Sequence, residues 1–101
     1  MANKLVRDRI PKIISESGRT PLTHILADDT ELETELWRKL DEEIAELRDA
    51  KDINELADVM EVVYALADFY GVPINELEEV RRNKAYERGT FSKKIYLDGI
   101  E

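Results

Sequence analysis

A chain of 101 residues without cysteine has room for one hydrophobic core and no means of building disulfides or a thiolate zinc site. Its longest apolar run, Val62 to Ala67, is far too short to span a bilayer, and the opening MANKLVRDRIP is charged and lacks the apolar stretch of a secretory leader; the reading is a single domain, residues 1–101, in the cytoplasm with no membrane partner. The net charge of -8 is unevenly spread: residues 28 to 79 hold 18 acids and 4 bases, a balance of -14, against +6 for the two ends together, which argues against a nucleic-acid polymer as partner but leaves basic ends to meet phosphates on something small.

In chain order, RDRIPKIISESG (residues 7–18) predicts a short first helix, with Pro11 in its opening turn and Gly18 just past its end. RTPLTHILADD follows as a loop with a short strand at Leu22 to Leu26. A capping box, Thr30-x-x-Glu33, predicts the start of a second helix running to about Asp49, and a second box, Asp52-x-x-Glu55, opens a third that ends at Gly71. The fourth begins with Pro73 and ends at Gly89. The tail TFSKKIYL (residues 90–97) alternates enough to predict an edge strand pairing with the Thr23 to Leu26 segment. The fold class expected is all-α: an antiparallel bundle of about four helices with at most a small β element, completed by oligomerisation.

Acids interrupt this apolar pattern. At about 100° per residue, Leu32, Leu36, Leu40, Ile44 and Leu47 share one face of the second helix; Glu43 lies inside that arc, Glu46 at its rim, and Glu42 points to solvent. On the third helix Leu56, Val59, Met60, Val63, Leu66, Ala67 and Tyr70 predict a broad buried face, with Val62 and Phe69 extending it and Glu55 and Asp58 flanking Val62. A tight link makes the two helices antiparallel and brings both acid pairs within about two turns of the hinge. Four converging carboxylates repel one another and lose hydration, a penalty that a hard divalent cation removes. Oxygen-only ligands suit Mg²⁺, or Mn²⁺, better than zinc. A plainer account is also open from spacing alone: Glu55 as a capping-box residue, Asp58 in a helix's first turns, Glu43 paired with Lys39 at i−4.

The order of motifs adds a resemblance. EEIAE (42–46) followed by ELAD (55–58) resembles the E-x-x-E then E-x-x-D signature of the MazG-like all-α nucleoside triphosphate pyrophosphohydrolases, whose superfamily includes dimeric dUTPases and phosphoribosyl-ATP pyrophosphohydrolase. NKLVRDRIP at the start and RRNKAYERGTFSKKIYL at the end resemble its short group of house-cleaning, noncanonical NTP pyrophosphatases. The resemblance implies that Glu43, Glu46, Glu55 and Asp58 bind Mg²⁺, that a nucleoside triphosphate is hydrolysed to monophosphate and pyrophosphate, and that the protein is a homodimer or larger oligomer. It departs from the pattern in a shorter gap between the acid pairs and in Gly89-Thr90 where Gly-Gly is frequent. The chemistry expected is in-line attack of a metal-activated water, oriented by Glu43 or Glu46 as the catalytic group. The alternatives are a phosphoribosyl-ATP pyrophosphohydrolase and a non-catalytic helical interaction or regulatory module.

The fourth helix offers the complementary charge. Arg81, Lys84 and Arg88 continue the stripe begun by Ile74 and Leu77 and are the expected phosphate contacts, with Lys4, Arg7 and Arg9 weaker candidates of the same kind. Arg82 turns away toward Glu78. His24 reads as surface or structural, Trp37 as core or interface with base stacking as its alternative, and Glu61 and Asp68 as solvent-facing or interfacial.

Overall fold

The computed structural model describes residues 3–101; Met1 and Ala2, part of the charged opening, lie outside the described residues. It contains α1 (Ile10–Glu16), α2 (Asp29–Ala50), α3 (Ile53–Phe69) and α4 (Ile74–Arg88), with no strand among the described residues. The chain is all-α, as expected, and no helix is long and apolar enough to cross a membrane.

Local chemistry sets the helix ends. α1 opens with Pro11 in its first turn, where a missing N–H leaves no bond unmade, and closes in a Schellman motif: Gly18 at φ +88 donates to Ser15 O while Arg19 N–H donates to Ile14 O. α2 starts earlier than the Thr30 box predicts. Asp28 is the cap, its Oδ1 accepting from Glu31 N–H at 2.9 Å, and Glu31 Oε2 accepts in return from Ala27 N–H at 3.1 Å. The carboxylate at Asp28 is the first strong acceptor that the chain meets, so it ends the loop two residues before Thr30 can act. The predicted cap of α3 holds: Asp52 Oδ1 accepts from Glu55 N–H at 3.0 Å. α3 ends at Phe69, and Gly71 at φ +75 closes it with Val72 N–H on Ala67 O at 2.8 Å. Pro73 caps α4, and Gly89 at φ +83 stops it.

The two predicted strands are not formed. Residues 90–97 run as irregular chain broken by a turn at Phe91 to Lys94, where Lys94 sits at φ 58, and residues 22–26 form no ladder with them. Alternation prepares a segment for a sheet only where a neighbour supplies the ladder bonds, and neither segment has one here.

Between α2 and α3 stand only Lys51 and Asp52, Lys51 in the left-handed region at φ 51 and ψ 42, so the helices reverse at once and pack along their length. Their seam holds the core, Leu36, Val62 and Leu66, with Leu5, Leu32, Leu40, Ala65 and Phe69 around it. Burying three such side chains is worth roughly 5–9 kcal/mol before the entropy of ordering the chain is counted. The seam on α3 corrects the predicted face. It is centred on Val62, with Glu55 only about 20° away, so Leu56, Met60, Val63 and Tyr70 lie about 80° to 160° round and are exposed. Apolar residues surround α3 almost completely, so periodicity alone does not say which arc meets α2.

α4 approaches α3 but not α2, and α1 comes close to no other helix. The molecule is accordingly long, with extents of 60 × 31 × 25 Å and a radius of gyration of 17.7 Å, against about 13 Å for a compact chain of this length.

Candidate metal centre

Both acid pairs end up at the hinge end of the α2–α3 seam. Glu43 is 6% exposed, the single buried charged residue of the described chain, because its position lies about 20° from that of Leu36 on the inward face of α2. Glu55 and Asp58 reach the same seam from α3 and are partly buried. Carboxylate oxygens of Glu43, Glu55 and Asp58 lie within 4.8 Å of one another, and those of Glu42, Glu43 and Glu46 form a second group of the same dimension. Glu43 belongs to both. The four predicted acids therefore fall in two groups joined through Glu43, with Glu46 the exposed member.

Two oxygens at the centre are buried without a partner: Glu43 Oε2 and Glu55 Oε2. Burial first, then the neighbouring acids Glu46 and Asp58, pushes the Glu43 carboxyl above the ordinary range although Lys39 opposes the shift. Glu55 is raised by loss of hydration and then by Glu46, Asp58 and Glu43. In a fully ionised cluster these two oxygens would have no positive charge against them, and hard donors of this kind suit an Mg²⁺- or Mn²⁺-type cation. Glu43, Glu55 and Asp58 fit such an ion, with Glu46 beside them.

Three cations border the cluster. Arg7 Nη2 donates to Asp58 Oδ1 at 2.9 Å, and Lys4 Nζ lies 3.8 Å from Glu42. Leu5, between them, packs on the core, which pins residues 4–7 across the acids. Lys39 Nζ donates to Glu42 Oε2 at 2.5 Å and lies 3.3 Å from Glu43 Oε1. Glu42 thus does not stand in solvent as its helical angle predicts; the N-terminal segment covers that side of α2, and despite burial the pairing with Lys39 holds its carboxyl below the ordinary range. The spacing of Glu42 to Lys39 at i−3 and Glu46 at i+4 was the signal available for its place.

The basic residues of α4 are not brought to these acids. Arg81 binds Glu78 through Nε at 2.9 Å and through Nη2, and Arg82 lies 3.7 Å from the same carboxylate. Lys84 and Arg88 are exposed, and no ion pair joins α4 to Glu43, Glu46, Glu55 or Asp58 among the described residues. At the other end of the seam, Trp37 Nε1 donates to the Tyr70 hydroxyl at 3.1 Å, which donates to Glu33 Oε2 at 2.5 Å and is itself raised above its ordinary pKa by that carboxylate. Trp37 is half-exposed beside this chain of bonds, and His24, Glu61 and Asp68 are exposed.

Fold and centre together define an all-α protein built on a helical hairpin with an acid-lined hinge. A protein of Mycolicibacterium smegmatis, described only as uncharacterized, is 60% identical over 47 residues, which make up 46% of this chain and 47% of that protein. The match therefore spans about half the length of that relative. No family model matches the chain, and no solved structure matches it.

Proposed function

We propose that this chain is a Mg²⁺-dependent nucleoside triphosphate pyrophosphohydrolase that converts a noncanonical triphosphate to monophosphate and pyrophosphate, a house-cleaning enzyme of the cytoplasm. The observation that carries the reading is the pair of buried, unpartnered oxygens, Glu43 Oε2 and Glu55 Oε2, inside a group of carboxylates spanning 4.8 Å. Surface charge alone does not account for them, because an acid that merely solvates a helix keeps its oxygens in water. The motif order in the sequence supplies the reaction class.

When bound, the cation supplies a Lewis acid for a phosphoryl oxygen and a more acidic water. The residues divide the remaining work. Glu43, Glu55 and Asp58 would hold the ion, from both helices. Glu46, open to solvent beside Glu43, would orient the attacking water and take its proton, a role that suits it better than Glu43, which has one oxygen engaged by Lys39. Arg7 and Lys4 lie at the rim, where a phosphate chain entering from solvent meets them. Arg81, Lys84 and Arg88 make no ion pair with the cluster of their own chain among the described residues, so in this reading they would serve from a second copy. The exposed arc Leu56, Met60 and Val63 on α3 is the surface on which that copy packs, giving a homodimer or larger assembly.

The test is pyrophosphate release from a panel of ordinary and damaged nucleoside triphosphates, with and without Mg²⁺, beside the Glu55→Ala protein. Mg²⁺-dependent release that falls by orders of magnitude in a variant of intact helicity is the expected outcome. Absence of release from every triphosphate and also from phosphoribosyl-ATP would refute the reading and leave a non-catalytic helical module.

A further inference from the structure

Lys39 takes no part in the reaction just described, yet it is the only lysine or arginine among the described residues that is not exposed. Its side chain is 15% exposed, and its Nζ lies 2.5 Å from Glu42 Oε2 and 3.3 Å from Glu43 Oε1. The remaining oxygen of Glu43, Oε2, faces no donor. Glu43 therefore has a cation against one oxygen and none against the other, and its carboxylate lies in a group with those of Glu55 and Asp58.

We infer that Lys39 is a stand-in cation: it keeps the acid cluster folded in the metal-free protein, and its charge and that of a divalent ion are two interchangeable means of neutralising Glu43. The inference rests on the metal-binding reading above. A buried carboxylate among three others destabilises the fold unless positive charge lies against it. Lys39 supplies that charge from within α2 at i−4, independently of any ligand. A divalent ion held by Glu43 together with Glu55 and Asp58 would supply it again. Two cations sharing one carboxylate repel each other, so each stabilises the protein less when the other is present, and the coupling is reciprocal. Arg7 does not fill this role, because its side chain is half-exposed and its partner Asp58 lies on the other helix.

The experiment is thermal unfolding of the full chain, wild type, Lys39→Met and Lys39→Arg, in chelator and in saturating MnCl₂. Lys39→Met keeps the length and removes the charge. In chelator its melting temperature is expected to fall by on the order of 10 °C or more, since removing one partner strands a buried charge. Mn²⁺ is expected to recover most of that loss, so that its stabilising effect is larger on Lys39→Met than on wild type, while Lys39→Arg stays near wild type in both conditions. A Lys39→Met chain that is unfolded in chelator but refolds on Mn²⁺ titration is the same result in stronger form. An equal loss with and without Mn²⁺, no loss in either, or a chain that Mn²⁺ does not refold would overturn the role given to Lys39. A wild type whose melting temperature does not respond to Mn²⁺ would instead overturn the metal reading itself, and this inference with it.

Discussion

Met60→Glu tests the proposed self-association at the place where the single chain says most about it. Met60 is 52% exposed, Leu56 54% and Val63 38%, and all three face away from α2. Full burial of such a side chain is worth about 2 kcal/mol, so covering what remains open gives roughly 2–3 kcal/mol per copy and about 5 kcal/mol across a two-fold interface. Association itself costs about 4–15 kcal/mol, so this arc alone roughly breaks even, and the exposed Phe91, Ile95 and Leu97 of the tail must contribute for a stable dimer. Glutamate at position 60 removes about 1 kcal/mol of burial from each copy and places two carboxylates in the interface at several kcal/mol more, a loss of at least about a thousandfold in dissociation constant. The fold of the single chain is little disturbed, because position 60 does not face the core. Sedimentation equilibrium between about 1 and 100 µM, with circular dichroism as the control for helicity, reads both quantities. A wild type that is monomeric throughout that range, or a Met60→Glu protein that self-associates as well as wild type, would refute the reasoning.

Two other outcomes follow from the same geometry. Glu43 and Glu55 have pKa values raised first by burial, so between the ordinary value of 4.5 and those raised values the folded chain holds protons that the unfolded chain has released. Stability of the metal-free protein should therefore fall as pH rises through that window, the favourable contribution being complete below 4.5, and saturating Mg²⁺ should reverse the slope. Denaturant titrations in chelator across that window measure it, and a metal-free stability that climbs toward neutral pH would contradict it. Lys51→Gly should stabilise the fold by about 0.5–1 kcal/mol, because a Cβ is strained in the left-handed conformation that the hinge requires. The Lys51 ammonium does donate to Arg48 O, but that bond is exposed and counts for little; a lower melting temperature for the glycine variant would show otherwise.

The helices were legible because their ends are written locally. Asp52, Pro73, Gly18 and Gly89 act within one turn of themselves, and each does in the structure what its chemistry predicts. The Thr30 box failed for a local reason too, since Asp28 offers a stronger acceptor first. The convergence of Glu43, Glu46, Glu55 and Asp58 was equally legible, because a two-residue link leaves the helices no other arrangement. What sequence left open was the rotation of α3. Val62 and Met60 are both apolar, and only the competition for α2 decides that the first is buried and the second is not. The same limit hid part of Glu42's setting: Lys39 is local, but the cover from residues 3–5 comes from far away in the chain. It also hid the separation of α4 from the acids, because a stripe of Arg81, Lys84 and Arg88 has a direction only once α4 has a neighbour.

The brevity of the hinge bears on how the molecule comes into being. Glu43 and Asp58 are fifteen positions apart within one helical hairpin, so the cluster closes through a short loop. Such contacts are expected to form early on the folding path, before distant segments arrive, and φ-value analysis across the hairpin would check it. The repulsion among the acids is then met during the ascent to the transition state, when Arg7 and Lys4 are still unplaced and Lys39, only four positions from Glu43, is already at hand. A chain built this way is expected to assemble its most strongly charged part first, and stopped-flow refolding at low and high salt would show whether the ions present when the hairpin closes set its speed.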